Sequence, residues 1–164
     1  MSQKSEKWYF LENATKKEIR SAIGNLKRSL TLFKNGARWV TGVEVIDPGR
    51  SVWREDKNGI EKELVFKDGA FCSVGAIRHI DGPGEELAAK TLAAVAAGSG
   101  SDLDIDKTWN GVEYTEITID QFDINNAFAD IASWNDDQLK FTPIKTKFNQ
   151  AIAKLERELE KRAA

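Results

Sequence analysis

Residues 134–160 read WNDDQLKFTPIKTKFNQAIAKLERELE, and this stretch decides the fold class. Thr142 followed by Pro143 is a helix-start signal. A threonine side chain caps free amides, and proline in the first turn lacks an N–H that would have no intrahelical partner anyway. Ile144, Phe148, Ala151, Ile152, Leu155 and Leu159 then recur at helical spacing and draw one apolar stripe. The segment predicts an amphipathic closing helix entered through a turn built from Trp134, Asn135 and Asp136.

Working back towards the N-terminus, a second helix is predicted over Thr15 to Phe33. Thr15 and Glu18 have capping-box spacing, and Asn35-Gly36 supplies the stop. Ile19, Ile23, Leu26, Leu30 and Phe33 form its stripe, with Lys16, Lys17, Arg20, Lys27 and Arg28 on an adjoining face. Trp8, Tyr9, Phe10 and Leu11 are expected to fold back onto the core. In the middle, Asp47-Pro48-Gly49 and Lys57-Asn58-Gly59 are turn signals beside strand-like pieces at Val43–Ile46, Ser51–Arg54 and Glu63–Phe66. Ala70 to Ile80 reads as a short buried helix. Glu85 to Ala97 reads as an alanine-rich one, with acids in its first turn where the helix dipole favours them. Val112–Ile119 alternates like a strand. The reading is one α+β domain, 1–164, mainly α, with about four helices and a small antiparallel β element.

Composition narrows the class further. With 41% hydrophobic and 30% charged residues the chain has an ordinary globular balance, and 164 residues suffice to bury about two-thirds of the unfolded surface. No apolar run nears the roughly 18 residues that span a bilayer. The N-terminus lacks the apolar core of a secretory signal, and a lone Cys72 excludes an internal disulfide. A cytoplasmic location with no membrane association is therefore expected. The net charge of −2 is unevenly spread: residues 1–40 carry +6 and residues 101–141 carry −8. Either the basic and acidic segments face each other, or the basic one meets nucleic acid or an acidic protein.

Candidate chemistry is sparse. Asp102, Asp104, Asp106, Thr108, Asn110 and Glu113 fall at positions 1, 3, 5, 7, 9 and 12 of a calcium loop, a spacing that suits a hard cation. Lys107 stands at position 6, where that loop needs glycine, so a solvated acidic loop is the simpler reading and calcium the sharper one. Cys72 and His79 are the sole thiol and imidazole. On one helix they would lie two turns apart, about 10 Å, whereas proton transfer needs roughly 3 Å. There is no phosphate-binding Gly-rich loop and no nucleophile elbow. Asn135, Asp136 and Asp137, with Asp120, Asp123 and Asp130 upstream, read as backbone-capping groups before they read as a magnesium or amine site.

Three patterns carry a resemblance: Arg38-Trp39-Val40-Thr41-Gly42, Phe71-Cys72-Ser73-Val74-Gly75-Ala76-Ile77, and Trp134-Asn135-Asp136 ahead of a Thr-capped helix with Ala151-Ile152. On these the chain resembles an uncharacterised family of small bacterial and bacteriophage proteins. The matching positions are Trp39, Gly42, Cys72, Gly75, Ala76, Trp134, Asn135 and Asp136. The resemblance implies a mainly helical fold and a phage or prophage origin, and no chemistry.

The functional expectation is a small intracellular interaction protein that binds a protein partner or itself. Trp53 and Trp109, both flanked by polar residues, are the expected contact residues, because tryptophan is enriched at binding hot spots. Two alternatives accompany it. One is a small enzyme with Cys72 as nucleophile beside Asn135 or Asp136, should that turn pack on the helix that Cys72 opens; the same proximity would equally arise from a capping network. The other is nucleic-acid binding through Lys16, Lys17, Arg20, Lys27 and Arg28.

Overall fold

Periodicity and caps explain most of the helices. A computed structural model describes residues 8–98, 108–109, 112–113 and 123–163. Thr15 caps α2 (Lys16–Leu32), its hydroxyl accepting from the Glu18 amide at 3.1 Å. Ile19, Leu26 and Phe33 of the expected stripe are fully buried. The helix stops where Asn35 and Gly36 turn to positive φ. Ahead of it α1 (Tyr9–Glu12) is a single turn that buries Phe10 and Leu11, with Trp8 beside them.

The closing helix α6 spans Thr142–Ala163. Thr142 is its first helical residue and Pro143 the second, one place further in than the cap reading predicts. Phe33 bridges α2 and α6 through edge contacts with Phe141 at 5.4 Å and Phe148 at 5.6 Å. At its far end Arg162 donates to the carbonyls of Leu11, Glu12 and Ala14, tying the last helix to the exit of α1.

Between these helices the chain makes a bent ribbon. Strands β1 (Val45–Ile46) and β2 (Arg50–Glu55) run against β3 (Glu61–Phe66) and β4 (Ala70–Phe71), antiparallel throughout. The predicted helix over Ala70–Ile80 is thus shorter than expected: Ala70 and Phe71 are strand, Cys72 is the cap, and α3 is Ser73–His79. Phe71 pairs with Val45 in the ribbon, and on its other edge its N–H and C=O bond to Arg38 and Val40.

Next, α4 spans Glu85–Ala97, as its composition predicts. Its alanine face lets it pack on α2, α5 and α6. A Cβ added to Gly84, at its start, would lie 2.5 Å from the Ser21 backbone. Strands β5 (Thr108–Trp109) and β6 (Val112–Glu113) pair with each other. Helix α5 covers Ile124–Asp136, capped by Asp123 through the Asn126 amide at 2.8 Å. Trp134, Asn135 and Asp136 therefore end a helix and do not form a turn of their own. The turn comes after them, at 137–141.

The class is α+β, mainly α, as expected from sequence. The described residues hold six α-helices where about four were expected, the extra ones being the single turn α1 and the division of the C-terminal third into α5 and α6.

Candidate functional site

Two places in the fold gather the residues that sequence singles out. The first is the junction of α5, α3 and the segment after α2. Asn135 is fully buried there. Its Oδ1 accepts from Trp39 Nε1 at 2.9 Å, from the Ser73 amide at 3.0 Å and from Ser73 Oγ at 2.7 Å. Its Nδ2 donates to the Val40 carbonyl at 3.1 Å. Next to it, Asp136 Oδ1 accepts from the Gly42 amide at 2.8 Å. One amide thus joins three chain segments, and both of its polar atoms are committed to partners inside the protein. Such a network specifies packing and leaves little capacity for a ligand.

Cys72 sits beside this junction, with Asp136, in a recess of about 170 Å³ bordered by Gly42, Glu44, Val74 and Ala132. The sequence-level conjecture that the Trp134–Asp136 segment meets the start of the Cys72 helix therefore holds. Of the two side chains, Asn135 alone realises the capping network, accepting from the Ser73 amide of α3, whereas Asp136 accepts from Gly42 outside that helix. Cys72 Sγ accepts from the Gly75 amide at 3.4 Å, so the thiol itself serves as N-cap of α3. Burial pushes the thiol above its ordinary pKa; the Gly75 and Val74 amides oppose that rise, while Glu44 and Asp136 add to it. A reactive thiolate needs the reverse. His79, at the other end of α3, packs on Phe71 with ring centroids 4.8 Å apart and the rings tilted by 45°, and forms no dyad with Cys72.

The second place is the β2–β3 hairpin. Trp53 stands opposite Glu63, and Ser51 opposite Val65. On the other face Val52 and Phe66 pack against Val40, Ile46 and Ala70. Alternation along the strands therefore turns Trp53 and Val65 outward together. Trp53 is 60% exposed, Val65 64% and Ile60, at the tip, 62%. Sequence reading finds Trp53 but misses Val65. The available signal is the run Leu64-Val65-Phe66, which breaks two-residue alternation and must put apolar groups on both faces. Ser73 is missed as well, because nothing local marks a helix-opening serine as the partner of an asparagine 62 residues away.

The remaining candidates are dispersed. Trp109 lies in β5, and its side chain is outside the described residues, as are calcium-loop positions 102–107 and 110; Thr108 and Glu113 fall in β5 and β6. Among the described residues no cluster of three or more His, Cys, Asp or Glu side chains is placed to hold a metal. Of the basic face, Lys27 pairs with Glu156 at 3.6 Å and Arg28 donates to the carbonyls of Gly24 and Asp81. All five residues of that face, Lys16, Lys17, Arg20, Lys27 and Arg28, are exposed. Among the described residues no helix is long and apolar enough to cross a membrane.

No protein-family model, curated protein or solved structure matches the chain.

Proposed function

We propose that this is a protein-interaction module that docks its partner on the β2–β3 hairpin, with Trp53 as the anchor. The observation that carries the reading is that Trp53 and Val65, both exposed, share the hairpin face turned away from the core. Burying an aromatic of this size contributes more to association than any other contact available there. The Cys72 enzyme reading has less behind it, since its thiol caps a helix and is buried. Nucleic-acid binding has less behind it too, because Lys27 is paired with Glu156 and Arg28 donates to backbone carbonyls, and no aromatic side chain is interleaved with the basic residues Lys16, Lys17, Arg20, Lys27 and Arg28. A reducing, intracellular setting fits the lone cysteine, and a phage origin rests on the sequence patterns alone.

The test is affinity capture from a cell lysate with the wild-type protein, Trp53→Ala and Leu139→Ala, the last altering an apolar residue that is 96% exposed away from the hairpin. Trp53→Ala should lose a bound protein by about 30-fold while keeping the wild-type circular dichroism, and Leu139→Ala should retain it. Equal capture by all three would remove the reading.

A further inference from the structure

The two edges of the hairpin are not equivalent. The alternation of an antiparallel ladder aims the backbone groups of Val52, Arg54 and Asp56 at β3, and those of Ser51, Trp53 and Glu55 outward. The bonds from the Asp56 amide to the Ile60 carbonyl at 2.9 Å and from the Gly49 amide to the Phe66 carbonyl at 2.8 Å fix this phase. On the β2 edge the outward carbonyl of Trp53 is already taken, by Arg54 Nη1 at 3.2 Å. Arg54 also donates to Thr41, which holds the guanidinium across that edge. On the β3 edge the outward groups are those of Glu63 and Val65, and no described residue bonds to them.

The lane beside that free edge has the form of a missing strand. Further along the ribbon the same lane is filled: Arg38–Val40 runs beside Phe71, with bonds from the Phe71 amide to Arg38 at 2.8 Å and from the Val40 amide to Phe71 at 3.1 Å. Beside Glu63–Phe66 lies a groove of about 630 Å³ that Lys34, Ala37 and Trp39 also line.

Resting on the reading of the hairpin as the docking element, we infer that β3 pairs antiparallel with β3 of a second copy of this chain, forming a two-fold dimer through a four-stranded sheet. Charge and phase favour a second copy as the occupant and narrow its register to two pairings. The inferred one is centred on Leu64; the alternative, centred on Val65, sets Glu63 against Lys67 and predicts no rescue by the exchange of residues 61 and 67. The strand reads Glu61-Lys62-Glu63-Leu64-Val65-Phe66-Lys67. Centred on Leu64, the antiparallel pairing sets Glu61 against Lys67 of the second copy, Lys62 against Phe66, and Glu63 against Val65. Glu63 and Val65 are the residues whose backbone groups face the edge, so their bonds form in both directions. A shift that keeps this phase but centres the pairing on Glu63 sets two glutamates face to face, which is unfavourable. Within one copy Glu61 already stands opposite Glu55, a like-charge pair that Lys67 of the second copy would offset. The dimer is isologous and closed, and it leaves the outward face of Trp53 open.

Sedimentation equilibrium over a wide range of protein concentration tests this. The wild-type mass should rise from 18.3 kDa towards twice that value. Val65→Pro should remain monomeric with unchanged circular dichroism, because it deletes an edge-facing N–H and leaves the β2 ladder intact. Glu61→Lys and Lys67→Glu should each weaken the dimer by about tenfold, and the double exchange E61K/K67E should restore it. Glu61→Lys relieves the clash with Glu55, so its monomer stays folded even if the proline variant does not. A wild type that is monomeric throughout, or a dimer indifferent to these changes, would overturn the inference. If dimerisation fails while Trp53-dependent capture survives, only the second copy is wrong. A dimer without Trp53-dependent capture would leave the pairing standing and remove the docking reading.

Discussion

Asn135 is a fully buried polar residue through whose side chain three chain segments meet. Asn135→Leu would remove the acceptor of Trp39 Nε1 and the Ser73 amide and the donor to Val40, leaving buried groups without partners. At about 1–3 kcal/mol for each orphaned group, roughly 3–5 kcal/mol should be lost, which calorimetry would read as a Tm lowered by about 10 °C or more. Loss of less than about 1 kcal/mol would mean that the junction repacks and that Asn135 is not its keystone. Cys72 gives a second test at this scale. With its pKa raised by burial, the thiol should label slowly at neutral pH and rapidly once the protein is denatured. The folded state holds that proton more tightly than the unfolded chain, so the stabilising contribution is complete below the unfolded value of about 8.5 and falls as pH rises above it. Fast labelling of the native protein with a midpoint under about 8.5 would restore the enzyme reading. Sequence placed Cys72, Asn135 and Asp136 among the candidates. It could not assign their partners, because a hydrogen-bonding side chain carries no local mark of which distant backbone it will meet.

Among the elements, α3 is the most tightly constrained. A Cβ on Gly75 would come within 2.1 Å of the Glu44 carbonyl oxygen, a backbone atom that cannot turn aside. Gly75→Ala should therefore cost about 2–3 kcal/mol despite alanine's better helix propensity, since α3 must move away from the Glu44–Val45 segment. Urea denaturation would show it; a neutral or stabilised variant would mean the contact is slack. The helices with caps and stripes, α2, α4 and α6, were readable from sequence to within about a turn. The error at Ala70–Ile80 has a definite cause. A run of small and apolar residues has no period of its own, so it does not tell a buried strand from a buried helix. The pairing of Ala70 and Phe71 with Ile46 and Val45 settled its first two residues as strand. The placement of Trp134–Asp136 in a turn failed for a related reason: Asp and Asn are common in turns, and only the Asp123 cap and the burial of Ala127 and Ile131 extend α5 through to Asp136.

For the whole molecule, the expected consequence of pairing between copies is a stability that depends on concentration. The Tm of the wild type should rise as protein is added, because the dimer is bound only in the folded state, whereas that of Val65→Pro should stay constant. Differential scanning calorimetry at two concentrations differing by about a hundredfold decides it, and a constant wild-type Tm would argue against association. Salt has a smaller part, since Glu61 and Lys67 lie at the exposed margin of the proposed sheet, where screening is strong. The sequence by itself determined the helical class, the positions of α2, α4 and α6, and the existence of a hairpin around Asn58-Gly59. Each follows from local periodicity, caps and turn chemistry, which act over a few residues. Only the tertiary structure decided that Asn135 joins segments 62 and 95 residues away, that Cys72 is a cap, and that among the described residues nothing bonds to the outward groups of β3 while Arg54 takes the outward Trp53 carbonyl of β2. These are contacts between surfaces formed far apart in the chain, and no local energy term encodes which of them will meet.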